Sequence, residues 1–148
     1  METLDDFKTL CQAFAEQVGL PQLDLDREPS FALSLNQLDI NIGYQEQTNT
    51  VFIVLFLNHL PTESAEAACR DLLRENFNLP RNLAGAFALV PDENQISYVV
   101  KTPLSGLSVP SFYRLLQDAI GVGQKHLTEQ EKSMHTAEIA PLSTHLMA

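Results

Sequence analysis

The sequence predicts an α+β domain: three helices packed on a twisted, mostly antiparallel sheet. Three observations carry this. Hydrophobic periodicity switches along the chain in the order α-β-β-β-α-β-β-α. The strand-like runs that adjoin in sequence are separated by tight polar turns, which suits hairpins. The chain has 148 residues, 45% of them hydrophobic, and a domain of this size buries roughly 70% of its unfolded surface without needing disulfide or metal staples.

Residues 4–18 read as an amphipathic helix, because Leu4, Phe7, Leu10, Cys11, Phe14 and Val18 recur at steps of three and four. Thr3 is placed to cap it, Asp5 and Asp6 suit the positive end of its dipole, and Gly19 and Pro21 stop it. In residues 31–35 and 38–44, apolar and polar side chains alternate, the pattern of strands with one dry and one wet face. Asn36 and Gln37 are the expected turn between them. The run 50–57 is apolar at nearly every position, so it is expected to hide both faces. A second helix is predicted over 63–77, with Ala65, Ala68, Cys69, Leu72, Leu73 and Phe77 as its apolar stripe and Glu66 and Arg70 as an i,i+4 pair. Residues 85–90 and 95–101 flank Pro91-Asp92-Glu93-Asn94, a hairpin turn. Ser108 is placed to cap a third helix, whose apolar face is Phe112, Leu115, Leu116, Ala119 and Ile120. Gly121 and Gly123 weaken that helix. Residues 128–148 lose periodicity and contain Pro141, Ser143 and Thr144, so they are expected to be a flexible, mostly disordered tail beyond a domain of residues 1–127.

Nine Lys and Arg against nineteen Asp and Glu give a net charge of −10. No basic cluster is available to track phosphates, so nucleic acid is excluded as a partner, and an acidic membrane surface would repel the chain. No apolar run approaches the ~20 residues needed to span a bilayer. The start, METLDDFK, is acidic and lacks the regions of a signal peptide, and two cysteines make no disulfide framework. These features predict a cytoplasmic protein. The charge is uneven: residues 1–30 hold seven acids against Lys8 and Arg27, a net of −5.

The chemistry-bearing residues form no catalytic constellation. His59, His126, His135 and His145 lack metal-ligand spacing, and Cys11 and Cys69 sit on apolar helix stripes, where small buried thiols belong. Asp24 and Asp26 share an i,i+2 spacing that a pair of acid/base carboxylates could use, yet they lie in a polar loop where solvated acids are the ordinary occupants. No phosphate-loop, nucleophile-elbow or zinc-helix motif is present. No metal or cofactor is implied, and the chain is expected not to be an enzyme. Its apolar strand and helix surface exceeds what one small sheet covers, which favours a binding protein or an obligate oligomer.

Gly19, Leu20, Pro21, Leu23, Leu25 and Asp26, in the segment GLPQLDLD after the first helix, resemble the corresponding segment of class I type III secretion chaperones, the Tir-chaperone-like family. The resemblance continues through a three-stranded meander, a leucine-rich helix ending in Leu72, Leu73, Asn76 and Phe77, the small-residue strand Ala84-Gly85-Ala86-Phe87-Ala88-Leu89, and a TPLSGLS loop before the last helix. It covers about residues 3–127. One departure is the absence of Trp, where the family's last helix often carries one.

The resemblance implies a cytoplasmic homodimer with no cofactor that holds the N-terminal segment of a secreted effector in extended form. It would keep that client soluble and competent for secretion. A secretion ATPase or a regulator would be a further partner. The alternative on the same fold is a regulatory or scaffold protein binding a regulator or apparatus component. The client groove is expected between the first helix and the sheet, lined by Phe7, Phe14, Phe31, Leu33, Ile40, Ile42 and Phe52. The subunit interface is expected on the second helix and the strand from Gly85, at Leu72, Leu73, Phe77, Ala86 and Ala88.

Overall fold

The structure is a computed structural model that describes residues 3–80 and 84–147, with side chains described through Glu131. The elements follow in the order α1 (Leu4–Val18), β1 (Ser30–Leu35), β2 (Leu38–Gln45), β3 (Thr50–His59), α2 (Ala65–Asn78), β4 (Gly85–Leu89), β5 (Gln95–Pro103) and α3 (Val109–Met147), with a short 3-10 turn at Glu46–Thr48. The five strands form one antiparallel sheet in the order β1-β2-β3-β5-β4. This is the predicted α+β architecture, with β5 pairing with β3 after the chain has passed through α2 and β4.

Local chemistry sets the boundaries. At the start of α1 the Thr3 backbone N–H donates to the Asp6 carboxylate at 2.7 Å, and Gly19 closes the helix at φ 77°, a conformation that suits a residue without Cβ. Asn36 (φ 52°) and Gln37 (φ 66°) form a two-residue turn with both residues left-handed, the geometry that matches strand twist.

Register then decides which side chains meet. Ile40 pairs with Leu55 and Leu55 with Tyr98; Ile42 pairs with Ile53 and Ile53 with Val100. These residues share the inner face and are buried beneath α1 and α3. Phe7 of α1 stacks on Tyr44 with ring centroids 5.2 Å apart, and Phe14 meets Phe112 of α3 edge-on at 5.0 Å. Each fully buried aromatic or aliphatic side chain stabilises by about 1.5–3 kcal/mol, so this layer holds the fold. Gly123 lets α3 come close to β3: a Cβ there would lie 3.0 Å from a Leu55 methyl. The glycine that weakens the helix locally permits its packing.

Three expectations change. The apolar run of β3 hides one face only: Val51, Ile53, Leu55 and Leu57 are buried, whereas Phe52, Val54 and Phe56 are half-buried on the outer face. Of the predicted α2 stripe only Leu72 is buried, and Leu73 and Phe77 point outward. A helical period says which residues share a face, and α2 lies along the sheet's β4 margin, where one helix face cannot be wholly covered. The backbone beyond residue 127 is helical to Met147 rather than irregular. The stretch 128–135 is rich in Gln, Glu and Lys, which favour helix without needing a packing stripe.

Candidate functional site

The surface chemistry is organised by what the three helices leave uncovered. On the outer face of the sheet, the row Ala32–Asn41–Val54–Val99–Ala86 runs beside Ser34–Asp39–Phe56–Ser97–Ala88. Phe52, Val54, Phe56 and Val99 are half-buried there, and Ala32, Ala86 and Ala88 are exposed. The tip of the Phe52 ring lies over its cross-strand partner Gly43, where a Cβ would overlap it, and Lys101 is its partner on the other side. The glycine thus fixes the ring's pose and keeps a broad apolar face on the sheet.

The two sheet edges differ. On β4, the side chain of Asn76 in α2 clasps the backbone of Phe87: the Phe87 N–H donates to Asn76 Oδ1 at 2.6 Å, and Asn76 Nδ2 donates to the Phe87 carbonyl at 3.1 Å. An amide side chain carries one acceptor and one donor, the complement of one residue's free edge groups. The β1 edge, on the opposite side, is flanked by exposed Ala32 and Ser34.

The predicted client residues do not form one surface. Phe7, Phe14, Phe31, Ile40 and Ile42 are interior, engaged between the sheet and the helices. Leu33 is half-buried on β1, and Phe52 is on the opposite face. Packing explains the division: the residues with the strongest apolar periodicity are those the chain's own core consumes.

The predicted subunit residues separate similarly. Leu72 is turned inward and buried. Leu73 (69% exposed) and Phe77 (89% exposed) stand i,i+4 on the outer side of α2, and Ala86 and Ala88 are exposed on β4 beside it. A phenylalanine this exposed is an unusual state for a large apolar side chain, and its alignment with Leu73 makes a patch rather than an isolated exception.

The polar candidates have local partners. Asp24 accepts the N–H of Asp26 at 3.3 Å, and Asp26 pairs with Lys8 at 3.4 Å while its side chain stays 91% exposed. Gln12 clasps the backbone of Leu23, donating to its carbonyl at 2.8 Å, and Leu25 anchors the loop in the core. The GLPQLDLD segment is therefore a strap pinned to α1, with its acids in solvent. Cys11 is buried, and desolvation pushes its thiol up to about 12, which leaves no thiolate near neutral pH. The Tyr98 hydroxyl is also raised, by burial first and by the Asp118 charge, against a hydrogen bond to the Gly85 backbone. His59 is exposed, and the side chains of His135 and His145 lie outside the described residues. Among the described residues, no group of three His, Cys, Asp or Glu side chains is placed to hold a metal ion, and no helix is long and apolar enough to cross a membrane.

Sequence reasoning missed His126. It is 2% exposed on α3, with Nδ1 3.4 Å from the Glu75 carboxylate of α2 and Nε2 3.1 Å from Asn58 Oδ1 of β3. Its ring lies 5.0 Å from that of Phe87. These contacts span 51 and 68 residues of chain, so no local pattern announces them.

Several solved structures share this fold. The ExsC–ExsE complex contains a chain 17% identical, with a TM-score of 0.71, covering 83% of this chain and 92% of that one. The HopA1–SchA chaperone–effector complex gives 16% identity and a TM-score of 0.70, over 82% and 93%. The Yersinia pestis type III secretion chaperone SycH, solved with a fragment of YscM2, gives 14% and 0.62, over 80% and 98%. No curated protein matches the sequence. At these identities the structural likeness speaks for the fold alone. The sequence pattern of the Tir chaperone protein (CesT) family, however, matches residues 9–125, which run from within α1 through the whole sheet and into α3. On that match the chain belongs to the Tir chaperone protein (CesT) family, the type III secretion chaperones its sequence resembled.

Proposed function

We propose that this chain works as a cytoplasmic homodimer that binds the N-terminal segment of a type III secreted effector in extended form and keeps it soluble and ready for export. The observation that carries the reading is uncovered apolar surface on a family member of this fold. It lies on the outer side of α2 and on the outer face of the sheet. A stable monomer has no use for Phe77 in water. Two copies joined through Leu73, Phe77, Ala86 and Ala88 would bury it, and the alanines would allow close approach. Leu72 would support that surface from within.

The client would add backbone hydrogen bonds along β1, because Asn76 occupies the middle of the β4 edge. Leu33 and Phe52 are the contacts we propose from the expected groove. Phe7, Phe14, Phe31, Ile40 and Ile42 would act by holding the walls in place. The HopA1–SchA neighbour is itself a chaperone–effector complex, which supports an effector as the client class. The division of the chain into a domain of residues 1–127 and a flexible segment 128–148 is part of this proposal.

Light scattering coupled to size exclusion tests the dimer. The parent is expected at the mass of two chains at tens of micromolar, and Leu73→Glu with Phe77→Glu at the mass of one, with the far-ultraviolet circular dichroism unchanged. A monomeric parent contradicts the reading. Co-expression with effector N-terminal segments tests the client. Capture of a regulator or apparatus component in place of an effector would support the alternative on the same fold.

A further inference from the structure

The polar contacts between α2 and the body of the subunit have a geometry that plain helix packing does not require. Leu72 is the one buried residue of α2, with Ala65, Ala68 and Cys69 half-buried on the same stripe, so apolar packing holds the helix along a narrow line. An open cleft of about 320 Å³ lies on one side of Glu75 and His126, lined among others by Asn58, Ser64 and Asp71. A second, of about 420 Å³, lies on the other side, lined by Asn78, Val122 and Lys125 among others. Between the clefts the helix is bridged to the body by Glu75 reaching His126, which in turn reaches Asn58. The adjacent residue, Asn76, reaches in another direction to β4. Two neighbouring residues thus tie the helix directly to α3 and β4, and through His126 to β3, with open space on either side of Glu75.

We propose that Glu75, His126 and Asn58 form a latch that sets the angle of α2 on the subunit, and through it the alignment of the two subunits. The second half rests on the reading of α2 as the dimer face given above. His126 is suited to such a role. It is buried, its ring is braced against Phe87, and both ring nitrogens are engaged, so it cannot turn without breaking a contact at each end. Glu75 is half-buried on α2 and transmits that fixed position to Leu73 and Phe77, two residues away on either side. His126 and Glu75 are positioning residues, and neither is asked to touch the client.

Hydrogen exchange read by mass spectrometry on the full chain tests the latch. The net worth of one hydrogen bond is enough that its loss should speed exchange in residues 65–78 by up to about tenfold in Glu75→Ala. Residues 50–59 and 95–103, the β3 and β5 core, should be unchanged. Glu75→Gln, which keeps an oxygen acceptor at the same reach, should restore parental exchange. His126→Gln should behave as Glu75→Ala does, and because it sits in the interior Glu75→Ala is the variant that decides if it fails to fold. The latch is overturned by exchange in 65–78 within twofold of the parent. It is equally overturned by a rise shared by the β3 and β5 core, or by Glu75→Gln exchanging as fast as Glu75→Ala. The alignment claim is read separately, from the dimer dissociation constant by light scattering on dilution. A several-fold weakening in Glu75→Ala is expected, and an unchanged constant beside a loosened α2 overturns it. A monomeric parent defeats the dimer reading and leaves the exchange result to decide the latch.

Discussion

At the residue scale, two side chains show how immediate surroundings set a property: Phe52 through the glycine beside it and Cys11 through burial. Phe52 keeps its pose on the outer face because Gly43 leaves room beneath it. A Cβ at Gly43 would force the tip of the half-buried Phe52 ring to shift, so Gly43→Ala should cost up to about 1–3 kcal/mol, the usual range for overpacking. Urea denaturation checks this, and Phe52→Leu in the same background should recover part of the loss. Cys11 is the second case. Its thiol is buried and held neutral, raised from an ordinary 9.0 to about 12. A raised value contributes stability fully below pH 9, which is lost as pH climbs through 12, because the unfolded chain ionises first. Folding stability should therefore fall between about pH 9 and 12, by at most ~1.4 kcal/mol per pH unit from this group. Cys11→Ala should flatten that slope in denaturation curves taken at pH 8, 9 and 10. An identical slope would show that the Cys11 thiol does not set it.

At the element scale, the edge of β4 separates what the chain seals from what it leaves open. Asn76→Ala removes both hydrogen bonds to Phe87, leaves that edge pair without its partner, and should cost about 1–3 kcal/mol. It should also promote higher-order association, since an unguarded edge is a template for another strand; sedimentation at increasing concentration would show it. The elements themselves were largely legible. Alternation in Leu38, Ile40, Ile42 and Tyr44 identified β2 and its buried face, and Asn36-Gln37 identified the turn because both residues tolerate a tight connection. What periodicity could not say is what covers a face. Leu73 and Phe77 share a stripe with Leu72, yet one points inward and two outward, and Phe7 and Phe14 looked as suitable for a groove as for a core. Contacts between distant segments were illegible for the same reason: nothing near His126 in sequence hints at Glu75 or Asn58. The resemblance carried by GLPQLDLD supplied the family, and packing then decided which apolar residues remain at the surface.

At the scale of the whole molecule, a net charge of −10 accompanies a surface with exposed Phe and Leu. Asp5, Asp6, Asp24 and Glu28 are all exposed and cluster around α1 and its strap. Long-range repulsion between like-charged molecules opposes association through open apolar faces, and it weakens with salt. Neutralising the four together, as Asp→Asn and Glu→Gln, should raise turbidity of the client-free protein at low ionic strength. Unchanged solubility would make the charge an ordinary solvated face. The uneven distribution, with a net of −5 in residues 1–30, concentrates this protection on α1 and the strap that leads into β1, the edge where we expect the client.

The claim that joins these scales is that the uncovered surfaces serve one dimer and one extended client. Its most direct measurement is the mass of the complex, by light scattering on the full chain co-expressed with the N-terminal segment of an effector encoded beside it. The expected species is two chains plus the client segment, formed by the parent and lost with Leu73→Glu and Phe77→Glu. Its client should show amide signals without the dispersion of a folded domain. A parent that runs as a single chain and leaves every such segment unbound would contradict the claim.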